Sequence, residues 1–146
     1  MSVLVDTNVL LRRTQPEHPQ YNAAVESVAR LLAGGEPMHY TLQNIAEFWN
    51  ALTRPTASNG LGLSVGRAEA EITEIEETLT LLPDVPAIYA EWRRLVTNHA
   101  VLGTKVHDAR LVAAMNVHGV RRILTFNAGD FARYGVEVLQ PAAMLA

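Results

Sequence analysis

Five short runs of strand-forming residues, Ser2–Val5, Met38–Thr41, Leu79–Leu82, Arg122–Thr125 and Val136–Leu139, are separated by longer segments of helical period. That alternation constrains the fold more than any other feature. Strands joined through helical segments pair in parallel, their crossovers are right-handed, and the sheet they form is covered on both faces. Ala23, Ala24, Val28, Leu31 and Leu32 keep helical spacing up to the Gly34-Gly35 stop. Leu42, Ile45, Trp49 and Leu52 share one face of a helix over Gln43–Thr53, which Arg54-Pro55 ends, because proline disfavours helical geometry in the residue before it. Further helices are expected from about Ser64, from Ala87 to His99 and from Thr104 to His118, with a brief one near Asp130–Tyr134. Thr14–Pro19 reads as a polar turn, and Thr56–Gly62, the densest cluster of turn-formers, as a mobile surface loop.

With 146 residues, 49% of them hydrophobic and 18% charged, the chain suits one domain over residues 1–146 with one continuous core. It has no cysteine, which excludes disulfides, thiolate metal sites and a cysteine nucleophile. No stretch approaches the length of a membrane span and no leader-like segment opens the chain, so a cytoplasmic protein without a membrane partner is expected. The net charge of −3 argues against simple electrostatic binding to nucleic acid. Its distribution softens that, since Glu69, Glu71, Glu74, Glu76 and Glu77 crowd into one predicted helix and the remainder is nearly balanced. Lys105 is the sole lysine; the other cations are arginine, the better bidentate phosphate donor.

Three of the four aspartates sit where chemistry could use them. Asp6 ends the first strand run, at the carboxyl edge where open parallel sheets bind ligands; capping the next helix is the competing role. Asp130, after the fourth strand, could equally cap the turn that follows. Asp108 precedes Leu111, Val112 and Met115 at offsets of three, four and seven, which puts a carboxylate on an apolar stripe. Burial there is costly unless the group is paired, with Lys105 one turn earlier, or binds metal. Glu47 lies off the apolar face of its helix, as a solvated residue would. The five histidines show no ligand-pair spacing, which disfavours zinc, whereas carboxylate oxygens suit a hard cation such as Mg²⁺ or Mn²⁺.

Val5-Asp6-Thr7-Asn8-Val9-Leu10-Leu11 resembles the opening of PIN-domain ribonucleases. Glu47 within Asn44-Ile45-Ala46-Glu47-Phe48, His107-Asp108-Ala109, and Leu124-Thr125-Phe126-Asn127 with Asp130-Phe131 resemble the family's other acidic motifs, in order. The likeness spans essentially the entire chain and is nearest to VapC-type toxins of toxin–antitoxin systems; Thr53-Arg54-Pro55 through Gly60-Leu61-Gly62 is similar to one branch of them.

The resemblance implies a three-layer α/β/α sandwich with a central, mainly parallel sheet. In it Asp6, Glu47, Asp108 and Asp130 converge on one or two divalent ions, Mg²⁺ or Mn²⁺, while Thr7 or Asn8 and Thr125 and Asn127 give polar support around metal and scissile phosphate. It makes Glu47 a ligand, which the helical wheel alone did not. Asn127 stands where some members carry aspartate, so a second metal site is left open. The implied activity is a Mg²⁺-dependent endoribonuclease acting on structured RNA such as tRNA or rRNA loops, with Arg12, Arg13, Arg54, Lys105 and Arg110 as rim cations. The implied partners are a small cognate antitoxin and a second copy of the chain, with Val25–Leu32, Ile45–Leu52 and Ile72–Leu79 as walls of the antitoxin groove. The alternatives are a stand-alone RNA-processing nuclease and a non-catalytic binding module. A receiver-like phosphorylation domain would need an acidic doublet after strand one and a lysine ending the last strand; this sequence has neither.

Overall fold

In the computed structural model, which describes residues 1–145, five parallel strands form a sheet in the order β3-β2-β1-β4-β5. The strands are β1 (Val3–Val5), β2 (Met38–Thr41), β3 (Thr80–Leu82), β4 (Arg122–Leu124) and β5 (Glu137–Leu139). Register is set by pairing Leu4 with His39 on one side and with Ile123 on the other. Six helices cover the sheet: α1 (Thr7–Arg12), α2 (Tyr21–Ala33), α3 (Leu42–Thr53), α4 (Val65–Thr78), α5 (Ala87–Asn98) and α6 (Val106–His118).

Strand periodicity assigns the two faces. Val3 and Val5 pack with residues of α1, α2, α3 and α4, while Leu4, between them, packs with α5 and α6. All three are fully buried, as expected of a parallel strand covered on both sides. The chain builds outward from β1 through β2 to β3 and then returns to build β4 and β5 on the opposite side. The carboxyl ends of β1 and β4 therefore flank the point where strand order reverses, which is where open α/β sheets bind ligands.

Three local expectations change. The run after Asp6 is α1, a helix of six residues too short to show a periodic pattern, its first N–H accepted by the Asp6 carboxylate. In α3 the buried stripe runs through Phe48 and Leu52 with Ile45 and Trp49 beside it, whereas Leu42, at the first helical position, is 55% exposed.

The segment after α3 is not a free loop. It makes a 3-10 turn at Thr56–Ser58 and is tied back by Gly60 N to Pro55 O, Leu61 N to Ala51 O, Gly62 N to Arg54 O and Leu63 N to Leu52 O. Asn59 takes left-handed backbone at φ 63°, which asparagine tolerates better than most residues. Gly60 is needed for closeness rather than for torsion: a Cβ there would lie 2.0 Å from the Arg54 carbonyl oxygen. Gly60→Ala is expected to destabilise the protein by about 2 kcal/mol, the scale of core overpacking. Calorimetry checks this, and an unchanged Tm would show that the turn is loose.

Candidate active site

Asp6 is held at the reversal point by groups that leave its carboxylate little freedom. Its backbone N–H reaches Leu124 O at 3.0 Å, locking the end of β1 to β4. Oδ1 accepts from Thr7 N at 2.8 Å, and Oδ2 accepts from the Thr125 hydroxyl at 2.8 Å. Asn8 is bonded to the same pair, its Nδ2 lying 3.1 Å from Thr125 Oγ1 and 3.4 Å from Asp6 Oδ2, while its Oδ1 accepts from Phe126 N at 3.2 Å. Thr125 is fully buried and its hydroxyl oxygen also accepts from Asn127 N at 3.0 Å. Thr7, Asn8 and Thr125 are thus built into the frame of the site. Asn127 contributes its backbone N–H, and its side chain is exposed.

Glu47 belongs to the same assembly by a path the helical wheel could not show. Its Oε1 accepts from the Thr7 hydroxyl at 2.9 Å, and that hydroxyl oxygen accepts from Asn44 Nδ2 at 3.0 Å. Asn44 is completely buried and closes a capping box with Thr41, accepting from Thr41 N at 2.9 Å and from its hydroxyl at 2.8 Å. A wheel separates the polar from the apolar face of α3, but the polar face here looks into the crevice instead of into solvent. Gln43, also on α3, donates from Nε2 to His107 O at 2.8 Å and so ties the helix carrying Glu47 to the start of α6, where Asp108 stands. Asn44, Thr41 and Gln43 were missed by sequence reasoning. The Thr41-x-x-Asn44 spacing was the available signal for the first two.

Asn44→Ala removes the acceptor of two Thr41 donors and the donor to Thr7 in a dry environment. It is expected to cost about 2–3 kcal/mol, the penalty for orphaned buried polar groups. Urea unfolding measures this; a loss within a few tenths of a kcal/mol would mean that water replaces the amide.

The four acids act on one another electrically. Burial pushes Asp6 up to about 6, with the charges of Asp108 and Glu47 raising it further against the lowering effect of Thr125 and the Thr7 amide. Burial likewise pushes Asp108 to about 6, followed by the charge of Asp130, with Lys105 opposing and Glu47 adding. Asp108 is half-buried rather than seated in the apolar interior, and the lysine one turn away pairs elsewhere: Lys105 Nζ lies 2.6 Å from Asp130 Oδ1. That contact raises the Lys105 ammonium, the hydrogen bond first and the Asp130 charge second. Among the described residues no three acidic or histidine side chains are near enough as placed to enclose an ion. The donor chemistry nevertheless fits a hard cation, because the set is carboxylate oxygen and two of its members carry unfavourable negative charge that a cation would relieve.

Arg12 and Arg54 face a separate cavity, Arg13 lies between α1 and α4, and Arg110 pairs with Asp84 at 3.1 Å.

The site thus sets a buried, hydrogen-bonded carboxylate at the reversal point of a parallel sheet covered by helices on both faces. The PIN-domain family model matches residues 3–137, and the chain belongs to that family. No curated protein matches it. Among solved structures it resembles the sarcin–ricin loop cleaving toxin VapC20 of Mycobacterium tuberculosis, at 18% identity and TM-score 0.66, over 93% of this chain and 98% of that one. VapBC2 of Rickettsia felis, bound to a promoter DNA fragment, is similar at 12% identity and TM-score 0.69, over 96% and 98%. FitAB bound to a DNA fragment is similar at 25% identity and TM-score 0.64, over 95% and 94%.

Proposed function

We propose that this protein is a Mg²⁺-dependent endoribonuclease and the toxin of a toxin–antitoxin pair, with Asp6, Glu47, Asp108 and Asp130 as its acidic set. The PIN family and the VapC-like fold support a nuclease of the toxin kind. The observation that carries the finer reading is the immobilised Asp6 carboxylate at the reversal point, pushed up to about 6 within the field of two further acids.

Asp6, Glu47, Asp108 and Asp130 would hold the ion, Mg²⁺ or Mn²⁺. When bound, such an ion supplies an activated water and neutralises charge developing on the phosphate. The protein's own part is positional. Thr125 and the Thr7 amide fix both oxygens of Asp6, and Asn44 through Thr7 fixes Glu47. Lys105, on the rim of the acids, orients Asp130 through their 2.6 Å contact.

Structured RNA with single-stranded loops is the proposed substrate, because unpaired segments can be splayed into a groove. The comparison protein from M. tuberculosis is itself described as cleaving the sarcin–ricin loop. The antitoxin partner is supported by the toxin–antitoxin complexes among the structural neighbours and by a cavity of about 160 Å³ lined by Val25, Phe48 and Ile75 of α2, α3 and α4. The domain spans 1–146 and the working form is a homodimer in the cytoplasm. No helix among the described residues is long and apolar enough to cross a membrane.

The deciding experiment incubates purified protein with structured RNA, with Mg²⁺ and with chelator. Cleavage leaving 5′-phosphate and 3′-hydroxyl ends in Mg²⁺ alone is expected. Metal-independent cleavage, or none, overturns the reading. Expression without the neighbouring small reading frame should arrest growth; harmless expression of an active nuclease would favour the stand-alone enzyme instead.

A further inference from the structure

A cavity of about 360 Å³ lies between the carboxyl ends of α1 and α3, lined by Leu11, Arg12, Gln15, His18, Ala51, Arg54 and the Asn59–Leu61 turn. Helices α1 and α3 pack side by side in the same direction: Thr7 meets Glu47 at one end, and Leu11 and Ala51 share the cavity wall at the other. Asp6 caps the start of α1 and Glu47 lies midway along α3, whereas the two guanidiniums stand at the trailing ends, about 9–10 Å further along the helix axes.

Neither arginine is neutralised. Among the described residues no carboxylate pairs with Arg12 or Arg54. Arg12 donates to two neutral amides, Gln15 Oε1 at 2.7 Å and Gln20 Oε1 at 3.3 Å. Arg54 donates from Nη2 to Asn59 O at 3.0 Å, and its Nε is buried with no acceptor. Favourable interaction with helix carboxyl ends accounts for one cation at each terminus. It does not account for two facing one cavity, nor for the unpartnered Nε of Arg54. The tied-back turn that Gly60 permits serves this arrangement, since it fixes the carbonyl that holds the Arg54 fork.

His18 adds a third donor. Its Nδ1 accepts from Gln20 N at 3.1 Å, which in the neutral ring places the proton on Nε2. Partial burial first, and then the Arg12 charge, disfavour the imidazolium, so the ring offers a neutral N–H.

We infer that Arg12, Arg54 and His18 form an oxyanion pocket that grips a non-scissile phosphodiester of the RNA substrate, one or two linkages from the bond cut at the acidic end of the same helix pair. The inference rests on the nuclease reading for its substrate, but not for the pocket's affinity for phosphate. Planar guanidinium forks match phosphate oxygens bidentately. The grip sets the register of the strand along α1 and α3 and so contributes to binding rather than to the chemical step.

The test measures RNA binding without turnover, in chelator, across a salt series, for wild type, Arg12→Gln, Arg54→Gln, Arg54→Lys and the remote control Arg67→Gln. Each glutamine variant should bind roughly tenfold to a hundredfold more weakly, as loss of a charge-assisted contact implies. The slope of affinity against salt should fall by about 0.7 per lost phosphate contact. Arg54→Lys should recover part of the affinity, and Arg67→Gln should match wild type. Arg12→Gln carries the test should Arg54→Gln lose the turn, because Arg12 bonds only to two glutamines.

Neutral methylphosphonate linkages placed singly along the RNA should weaken wild type at one or two positions and leave the Arg12→Gln variant indifferent there. Unchanged affinity and slope in both glutamine variants would overturn the pocket while leaving the nuclease assignment standing. Arginine-dependent binding by a protein that never cleaves would do the reverse. Stabilisation by inorganic phosphate that depends on both arginines, with RNA binding unaffected, would overturn the assignment to RNA in favour of a free anion.

Discussion

Asp6→Asn is expected to lower metal-dependent RNA cleavage by on the order of 10³–10⁴, the scale on which removing one member of a catalytic set acts, while leaving the protein as stable as wild type or more so at pH 7.5. The two halves come from one geometry. Asp6 is only 8% exposed, and both its oxygens are held, by the Thr7 amide and the Thr125 hydroxyl. Asparagine keeps an acceptor for the Thr7 amide, while towards Thr125 its fit is poorer, because Thr125 Oγ1 already accepts from Asn8 Nδ2 and Asn127 N. What it loses is the charge.

In the wild type that charge is a liability to folding, because burial and the Asp108 and Glu47 charges push the carboxyl from 3.8 to about 6. Such a displacement corresponds to roughly 3 kcal/mol of penalty when the group is ionised. Part of the relief is offset by the weaker Thr125 contact, so a net gain of about 1–2 kcal/mol is expected. Initial rates on structured RNA and thermal melts in chelator make the comparison. A variant that cleaves normally removes Asp6 from the chemistry, and one that melts well below wild type shows the carboxylate to be a structural cap instead.

The same residue shows how far the sequence could be read. Asp6, Asp108 and Asp130 were visible because strand ends and helix starts are marked by local pattern, and local pattern places a residue at an edge of the sheet. The strand and helix alternation likewise leads directly to a parallel sheet covered on both faces, but not to its strand order. Helix α1 was not visible, since six residues barely exceed one turn and its cap, Asp6, reads equally as the end of a strand. Glu47 was assigned by resemblance, not by periodicity: amphipathicity marks which face is polar, and only the three-dimensional placement of α3 beside α1 turns that face toward the crevice. Pairing of Lys105 with Asp108 is one of two readings that the spacing leaves open, and it is not the one found. The 3-10 turn at Gly103–Lys105 sends the ammonium across to Asp130, twenty-five residues away. The turn-former cluster at 56–62 predicted a loop correctly in composition and wrongly in freedom, because hydrogen bonds back to Ala51, Leu52 and Arg54 are non-periodic and leave no mark in the chain.

The acidic cluster also sets how stability responds to pH and to cations. For Asp6 and Asp108 the folded-state values, each about 6, lie above the ordinary carboxylate value of 3.8. The folded protein then binds protons that the unfolded chain has released, so stability rises as pH falls from above 6 toward 3.8, and the full penalty is present above 6. For Asp6 the gain from pH 7.5 to pH 5 is on the order of 1 kcal/mol; Asp108 adds less, because half-exposure screens it. His39 works in the opposite direction over the same window, since burial lowers it and the unfolded chain protonates first. The lowered Glu36 and Glu91 lose their contribution only further down, as pH falls below the ordinary glutamate value of 4.5.

The informative quantity is therefore the difference between wild type and Asp6→Asn, in which the histidine and glutamate contributions cancel. Wild type should close on the variant as pH drops, by about 3–5 °C in Tm. At pH 7.5, Mg²⁺ at a hundred times its dissociation constant should stabilise wild type by about 2.7 kcal/mol. That gain should shrink at pH 5, where protons compete for the same oxygens, and should be largely lost in Asp6→Asn. Equal Mg²⁺ responses in the two proteins, or a wild-type curve parallel to the variant across this range, would show that these carboxylates do not share a cation and that their common field has another purpose.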